Sequence, residues 1–159
     1  MFKLDGLCNN QQLSTAIELV KEMEANKVEL NIVVYILVIE GLCKAGKIES
    51  ARDLFCGLSS KVQPNVRTYT VMIQGLCRHG LIIEAEKLLR EMEGKGCSAN
   101  GCTYNTIIRG LLNKNDTSLA TRLIQEMLER GFSADASTME LIVDLLSKDI
   151  VDPALLPLL

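Results

Sequence analysis

The sequence predicts an all-α fold, a right-handed α-solenoid of helix–turn–helix repeats of about 35 residues. Three observations carry this. The segment Gly-Leu-Cys recurs at Gly6-Leu7-Cys8, Gly41-Leu42-Cys43 and Gly75-Leu76-Cys77, with a weaker copy at Gly110-Leu111-Leu112. Ala16, Ala51, Ala85 and Ala120 keep the same steps, as do Leu19, Leu54, Leu88 and Leu123, and Tyr35, Tyr69 and Tyr104. Each period also holds two apolar stripes at helical spacing with a break between them. Units of this size cannot bury an apolar face alone, so they must stack. The register gives a partial repeat at 1–31, repeats at 32–65, 66–100 and 101–135, and a partial repeat with a tail at 136–159.

The elements follow in order. The opening pair is Phe2–Asn9 with Leu13–Ala25, and the second is Val33–Lys44 with Ile48–Leu58. The third shows the logic most fully. Tyr69, Met72, Ile73, Leu76 and Cys77 fall on one stripe of a helix over Thr68–Arg78, which His79-Gly80 ends through a left-handed cap. Ala85, Leu88, Leu89 and Met92 mark its partner over Ile83–Glu93, stopped by Gly94-Lys95-Gly96. Glu84, Glu86, Lys87, Arg90, Glu91 and Glu93 read as a solvated face, with Glu86 and Arg90 in the supportive i, i+4 order. The fourth pair is Thr103–Lys114 with Ser118–Glu129, where Asn115 replaces the turn glycine. Ser137–Ser147 is one more first helix, and the proline-limited Asp152-Pro153-Ala154-Leu155-Leu156-Pro157 is too short to pair with it. The repeated alanines mark close contact between paired helices. Gly41, Gly75 and Gly110 lie inside first helices, where Gly costs about 1 kcal/mol relative to Ala, so they predict close helix approach.

Composition limits the functions. Tryptophan is absent, so the core is aliphatic, and a net charge of -3 gives no electrostatic reason to expect nucleic acid, although a face can be locally basic. Cys8, Cys43 and Cys77 hold equivalent sites about one repeat apart, roughly 10 Å by helix packing distances and beyond disulfide reach. They read as buried free thiols suited to a reducing compartment. Cys97 and Cys102 lack the second pair or histidine that a zinc site needs, and Cys56 carries no signal. No metal and no cofactor are expected. The longest apolar run, Ile32 to Ile39, is far short of a membrane span. Asp5, Glu18, Glu22 and Glu24 are wrong for an acid-poor transit peptide. No nucleophile, base and oxyanion set can be assembled, so no enzyme and no small-molecule substrate are expected. Lone His79 beside a cap glycine does not suggest catalysis. Met1 enters in mid-helix and Met1, Phe2 and Leu4 leave a bare stacking face, which predicts a truncated parent or a homodimer through exposed solenoid ends.

Several phrases resemble the pentatricopeptide repeat family. They are Val66-Arg67-Thr68-Tyr69-Thr70, Gly101-Cys102-Thr103-Tyr104-Asn105-Thr106-Ile107-Ile108-Arg109-Gly110, Gly41-Leu42-Cys43-Lys44-Ala45-Gly46, Gln63-Pro64-Asn65, Ala85-Glu86-Lys87-Leu88-Leu89 and Glu91-Met92. The likeness spans roughly residues 1 to 148 in register and is similar to the P-type subclass, plant fertility-restorer-like members above all. The resemblance implies binding of single-stranded RNA, one base per repeat, in organellar RNA processing or stability. It implies a mitochondrial location first and a chloroplast second. The family's base-reading residues, the fifth and last of each repeat, fall on Ile36 with Asn65, Thr70 with Asn100, and Asn105 with Asp135. By family habit the second pair favours adenine and the third uracil, giving 5′-AU-3′, while Ile36 has no hydrogen bond to give. The base-packing sites fall on Val33, Arg67 and Cys102, with Ser137 in the tail unit, and the phosphate contacts on Lys44 and Arg78, with Asn113 beside Lys114 in the fourth unit. The same residues also suit helix capping and the helix dipole. The alternative function is a protein-binding scaffold or a self-associating fragment with little RNA affinity.

Overall fold

The computed structural model describes residues 13–25, 31–58 and 62–148. Among these are eight helices: α1 (Leu13–Ala25), α2 (Ile32–Lys44), α3 (Ile48–Leu58), α4 (Val66–Arg78), α5 (Ile82–Gly94), α6 (Gly101–Asn113), α7 (Thr117–Glu129) and α8 (Ala136–Ser147). The expected helix Phe2–Asn9 and the tail after Lys148 lie outside the described residues.

The first helices begin up to two residues earlier than the apolar stripes predict, because a cap sets their start. Asn31, Asn65, Asn100 and Asp135 each accept a hydrogen bond from the backbone N–H three residues on. Asn65 with Thr68, and Asn100 with Thr103, close reciprocal capping boxes. The turns within repeats end in left-handed residues, Gly46 and Gly80, and in the fourth unit Asn115 takes φ 59 as expected.

The helices form two layers. First helices α2, α4, α6 and α8 pack side by side, and α3, α5 and α7 pack against them. Direct packing draws the first-helix layer tighter, which places it on the inner side of the solenoid. Tyr35, Tyr69 and Tyr104 are all buried, as are Ala51, Ala85 and Ala120, in one continuous core.

The recurrent Gly-x-Cys has a packing cause. A Cβ built on Gly75 would overlap Cys43 Sγ, and one on Gly110 would stand 2.5 Å from Cys77 Cβ. Each cysteine therefore seats against the glycine of the next repeat. The fourth unit carries Leu112 in place of the cysteine and Leu145 follows it in α8 in place of glycine. Cys43 and Cys77 are buried and free. Burial pushes the Cys77 thiol up to about 12 and, with help from Glu40 against Arg78, the Cys43 thiol up to about 11, so both stay protonated at neutral pH.

The solvated face of α5 differs from expectation. Glu86 and Arg90 each bond across to α7 rather than to each other. Arg122 Nη2 donates to Glu86 at 3.0 Å, and Arg90 makes a two-pronged bond to Glu126 at 2.6 and 2.9 Å. The stacked repeat supplies closer partners than the helix's own next turn. His79 is structural too. Its Nε2 lies 3.1 Å from the Cys43 carbonyl, which can only accept, so Nε2 carries the proton and ties one repeat to the next.

Candidate nucleic-acid interface

The paired readers sit where each first helix meets the turn before the next. Thr70 is on the first turn of α4 and Asn100 caps α6. Hydrogen bonds link them: Thr70 Oγ1 lies 2.9 Å from Thr103 Oγ1, which donates to Asn100 Oδ1 at 3.1 Å. Thr70 also reaches the Val66 carbonyl at 2.8 Å. The Asn100 oxygen accepts from the Thr103 N–H and hydroxyl, so its amide NH2 points away from the cap. This assignment follows from the cap, since a backbone N–H needs the oxygen.

The next pair is joined directly. Asn105 is buried, and its Oδ1 accepts the Asp135 N–H at 2.9 Å. Asn105 Nδ2 donates to the Gly101 and Ser133 carbonyls, so both its donors are used and an acceptor lone pair remains. Asp135 caps α8 and meets Arg109 Nη1 at 2.8 Å. Partial burial opposes its charge, but the Thr138 N–H and hydroxyl and the Arg109 guanidinium outweigh it and hold the carboxyl below its usual range.

Two hollows lie along the first-helix face. One, of about 510 Å³, is lined by Asn65, Val66, Arg67, Thr70, Asn100 and Cys102. It gathers five sequence-predicted residues, with exposed Arg67 and Cys102 beside the Thr70–Asn100 pair. The other, of about 330 Å³, lies toward the C-terminal ends of α4 and α6 and is lined by Gln74, Cys77, Arg78, Thr106, Arg109, Gly110, Asn113 and Lys114. Arg78, Arg109 and Lys114 give it a locally positive lining on a chain of net charge -3.

The remaining predicted residues stand apart from these hollows. Val33 is 46% exposed at the start of α2, and Ile36 is buried. Lys44 pairs with Glu40 at 3.5 Å. Arg109 and Gln74 were missed by sequence reasoning. They share one position in successive repeats, but Glu40 holds it in the second, so no periodic signal marks it.

Models of the PPR repeat family match residues 30–78, 64–113 and 99–148, and a PPR repeat model matches residues 4–28. The chain belongs to the PPR repeat family. It is similar in fold to the pentatricopeptide repeat protein PPR10 from maize, with a TM-score of 0.76 and 24% identity over 89% of this chain and 20% of that one. The structure of PPR10 in complex with an 18-nt psaJ RNA element gives 0.81 at 22% identity over 99% of this chain and 23% of that one. The PPR domain of Arabidopsis thaliana protein-only RNase P 1 in complex with tRNA gives 0.70 at 17% identity, over 91% of this chain and 79% of that domain. The chain thus spans about a fifth of the PPR10 length. No curated protein matches it.

Proposed function

We propose that this PPR chain is a binding module that takes single-stranded RNA along its first-helix face, one base per repeat, in organellar RNA processing or stability. The mitochondrion is the first location proposed. The observation that carries the reading is the hollow that gathers Asn65, Arg67, Thr70, Asn100 and Cys102. Its polarity supports adenine at the third unit. The cap commits the Asn100 oxygen inward and leaves amide donors outward, matching the N1 acceptor of adenine, whereas guanine presents an N1–H donor there. The fourth pair offers acceptors, from Asp135 and the remaining Asn105 lone pair, which suit the N3–H of uracil and oppose the N3 acceptor of cytosine. Arg67 can stack as a guanidinium plane, and Arg78 with Lys114 faces the phosphates.

Two coded bases at about 1–3 kcal/mol of stacking each hold RNA only weakly, so affinity is measured at high protein concentration and low salt. Fluorescence anisotropy with short RNAs carrying A-U, A-C or A-G decides the matter. The expected result is a preference for A-U that moves to A-G in Asn105→Thr and weakens steeply with salt through counterion release. Equal affinity for all three probes removes the base-reading claim, and no binding at low salt removes RNA as the ligand.

A further inference from the structure

Two successive junctions between second helices are built from equivalent positions but filled differently. Between α5 and α7, the place beside buried Tyr104 is filled from within. Arg90 crosses to Glu126 with its two-pronged bond, and Arg130 lies over the Tyr104 ring, 5.6 Å from its centroid, while pairing with Glu93. One repeat earlier the register sets Tyr69 for Tyr104, Glu91 for Glu126 and Lys95 for Arg130. In place of Arg90 stands Cys56, exposed and too short to cross. A cleft of about 310 Å³ results between α3 and α5. Phe55, Tyr69, Met72 and Leu88 give it an apolar lining and Glu91 stands at its rim. Phe55 meets Tyr69 edge-on at 5.3 Å, which holds both rings in place.

We propose that this cleft is a docking site for an arginine side chain presented by a partner protein. The molecule supplies its own template for the occupant. At the next junction the equivalent carboxylate, Glu126, grips the Arg90 guanidinium on both oxygens, while Arg130, the counterpart of Lys95, lies over the equivalent ring of Tyr104. An arriving arginine lays its aliphatic stem on Phe55 and Leu88 and sets its fork on Glu91. Lys95 already meets Glu91 at 2.9 Å, but the template carboxylate Glu126 takes Arg90 on both oxygens with Arg130 also 3.8 Å away. A planar fork outcompetes a lysine point charge at a carboxylate, so Lys95 moves aside and Glu91 keeps two cations, as Glu126 does, while Lys87 also lines the cleft. Arg52 at the rim does not repel strongly, because Glu49 at 2.7 Å and Glu84 at 2.8 Å neutralise it. The site opens between second helices α3 and α5 over a floor from α4, and it shares no lining residue with the two hollows on the face assigned to RNA.

The test uses the full chain and the peptide acetyl-Gly-Arg-Gly-amide, followed by two-dimensional NMR. Shift changes at Cys56, Tyr69 and Glu91 are expected to saturate in the millimolar range. Peptides with lysine or citrulline in place of arginine should bind at least about fivefold more weakly, the difference of roughly 1 kcal/mol expected for a fork on a carboxylate. Cys56→Arg should fill the cleft from within and abolish the response, and Glu91→Gln should weaken it without depending on the fold of the first variant. Equal response to the lysine peptide, an unchanged response in Glu91→Gln, or no saturation overturns the proposal. Absence of RNA binding in the unaltered chain that still takes the peptide would sink the RNA reading alone.

Discussion

At the scale of single residues, the steric fit between successive repeats is asymmetric and can be measured. An alanine at Gly110 would place its Cβ 2.5 Å from Cys77 Cβ, an atom fixed to the α4 backbone. An alanine at Gly75 would meet Cys43 Sγ, which can rotate, with Cys43 Cβ at 3.0 Å. Alanine is the better helix former by about 1 kcal/mol, yet overpacking a close contact costs about 1–3 kcal/mol, so both substitutions should destabilise. Urea denaturation should show the larger loss for Gly110→Ala. Cys43→Ala should recover much of the Gly75→Ala loss, whereas Cys77→Ala should do little for Gly110→Ala because the clashing Cβ remains. Equal rescue at both sites would mean that the thiols, not the helix approach, set the spacing. The glycine and cysteine periodicity was visible in the sequence, and so was close approach. That each cysteine meets the glycine of the following repeat needed the stacking.

At the scale of the element, one side chain serves two purposes. Asn100 caps α6 through its oxygen and is the last residue of its repeat, so stability and base preference are entangled there. They can be separated. Asn100→Ala should lose about 1 kcal/mol of stability with the cap. Asn100→Asp keeps a capping oxygen and should stay within a few tenths of a kcal/mol, since Asp and Asn cap about equally well. It replaces the outward amide donors with an acceptor, so preference at that unit should leave adenine for guanine. Thermal unfolding and anisotropy on the same samples check both halves, and a stable Asn100→Asp that still prefers adenine would show that Asn100 caps and does not read. The apolar stripes made the helices legible but started them late at Thr68, Thr103 and Ser137. The stripe begins where burial begins, while the helix begins at Asn65, Asn100 and Asp135, which are half outside it. The hydrogen bond from the Asp135 N–H to Asn105 was not legible, because it joins residues 30 apart that only the repeat turn brings together.

At the scale of the whole chain, the outer layer is held differently from the inner one. First helices touch mainly through packed side chains, with the Arg109–Asp135 pair joining α6 to the cap of α8, whereas second helices are bridged by Arg52–Glu84, Arg90–Glu126, Arg122–Glu86 and Arg130–Glu93. No periodicity of apolar residues could have shown this, since the partners are opposite charges about one repeat apart and meaningful only once stacked. The bridges make stability depend on acid. The Arg90 bond, against partial burial, holds the Glu126 carboxyl below the usual glutamate range, and Asp135 is likewise held below the usual aspartate range. A carboxyl with a lowered folded pKa contributes stability above its unfolded pKa and loses it as pH falls through the folded one. Urea midpoints should therefore be nearly flat from neutral pH to about 5 and decline below 4.5. Glu126→Gln should cost about 1 kcal/mol or less at neutral pH, because Arg90 is partly exposed and solvent screens the pair. It should also flatten part of the acid decline, and Arg90→Met, which removes the same bridge while keeping the stem, should flatten it equally. If the two variants keep the full acid slope, the Arg90–Glu126 bridge contributes nothing to the acid decline, and packing holds the junction between α5 and α7.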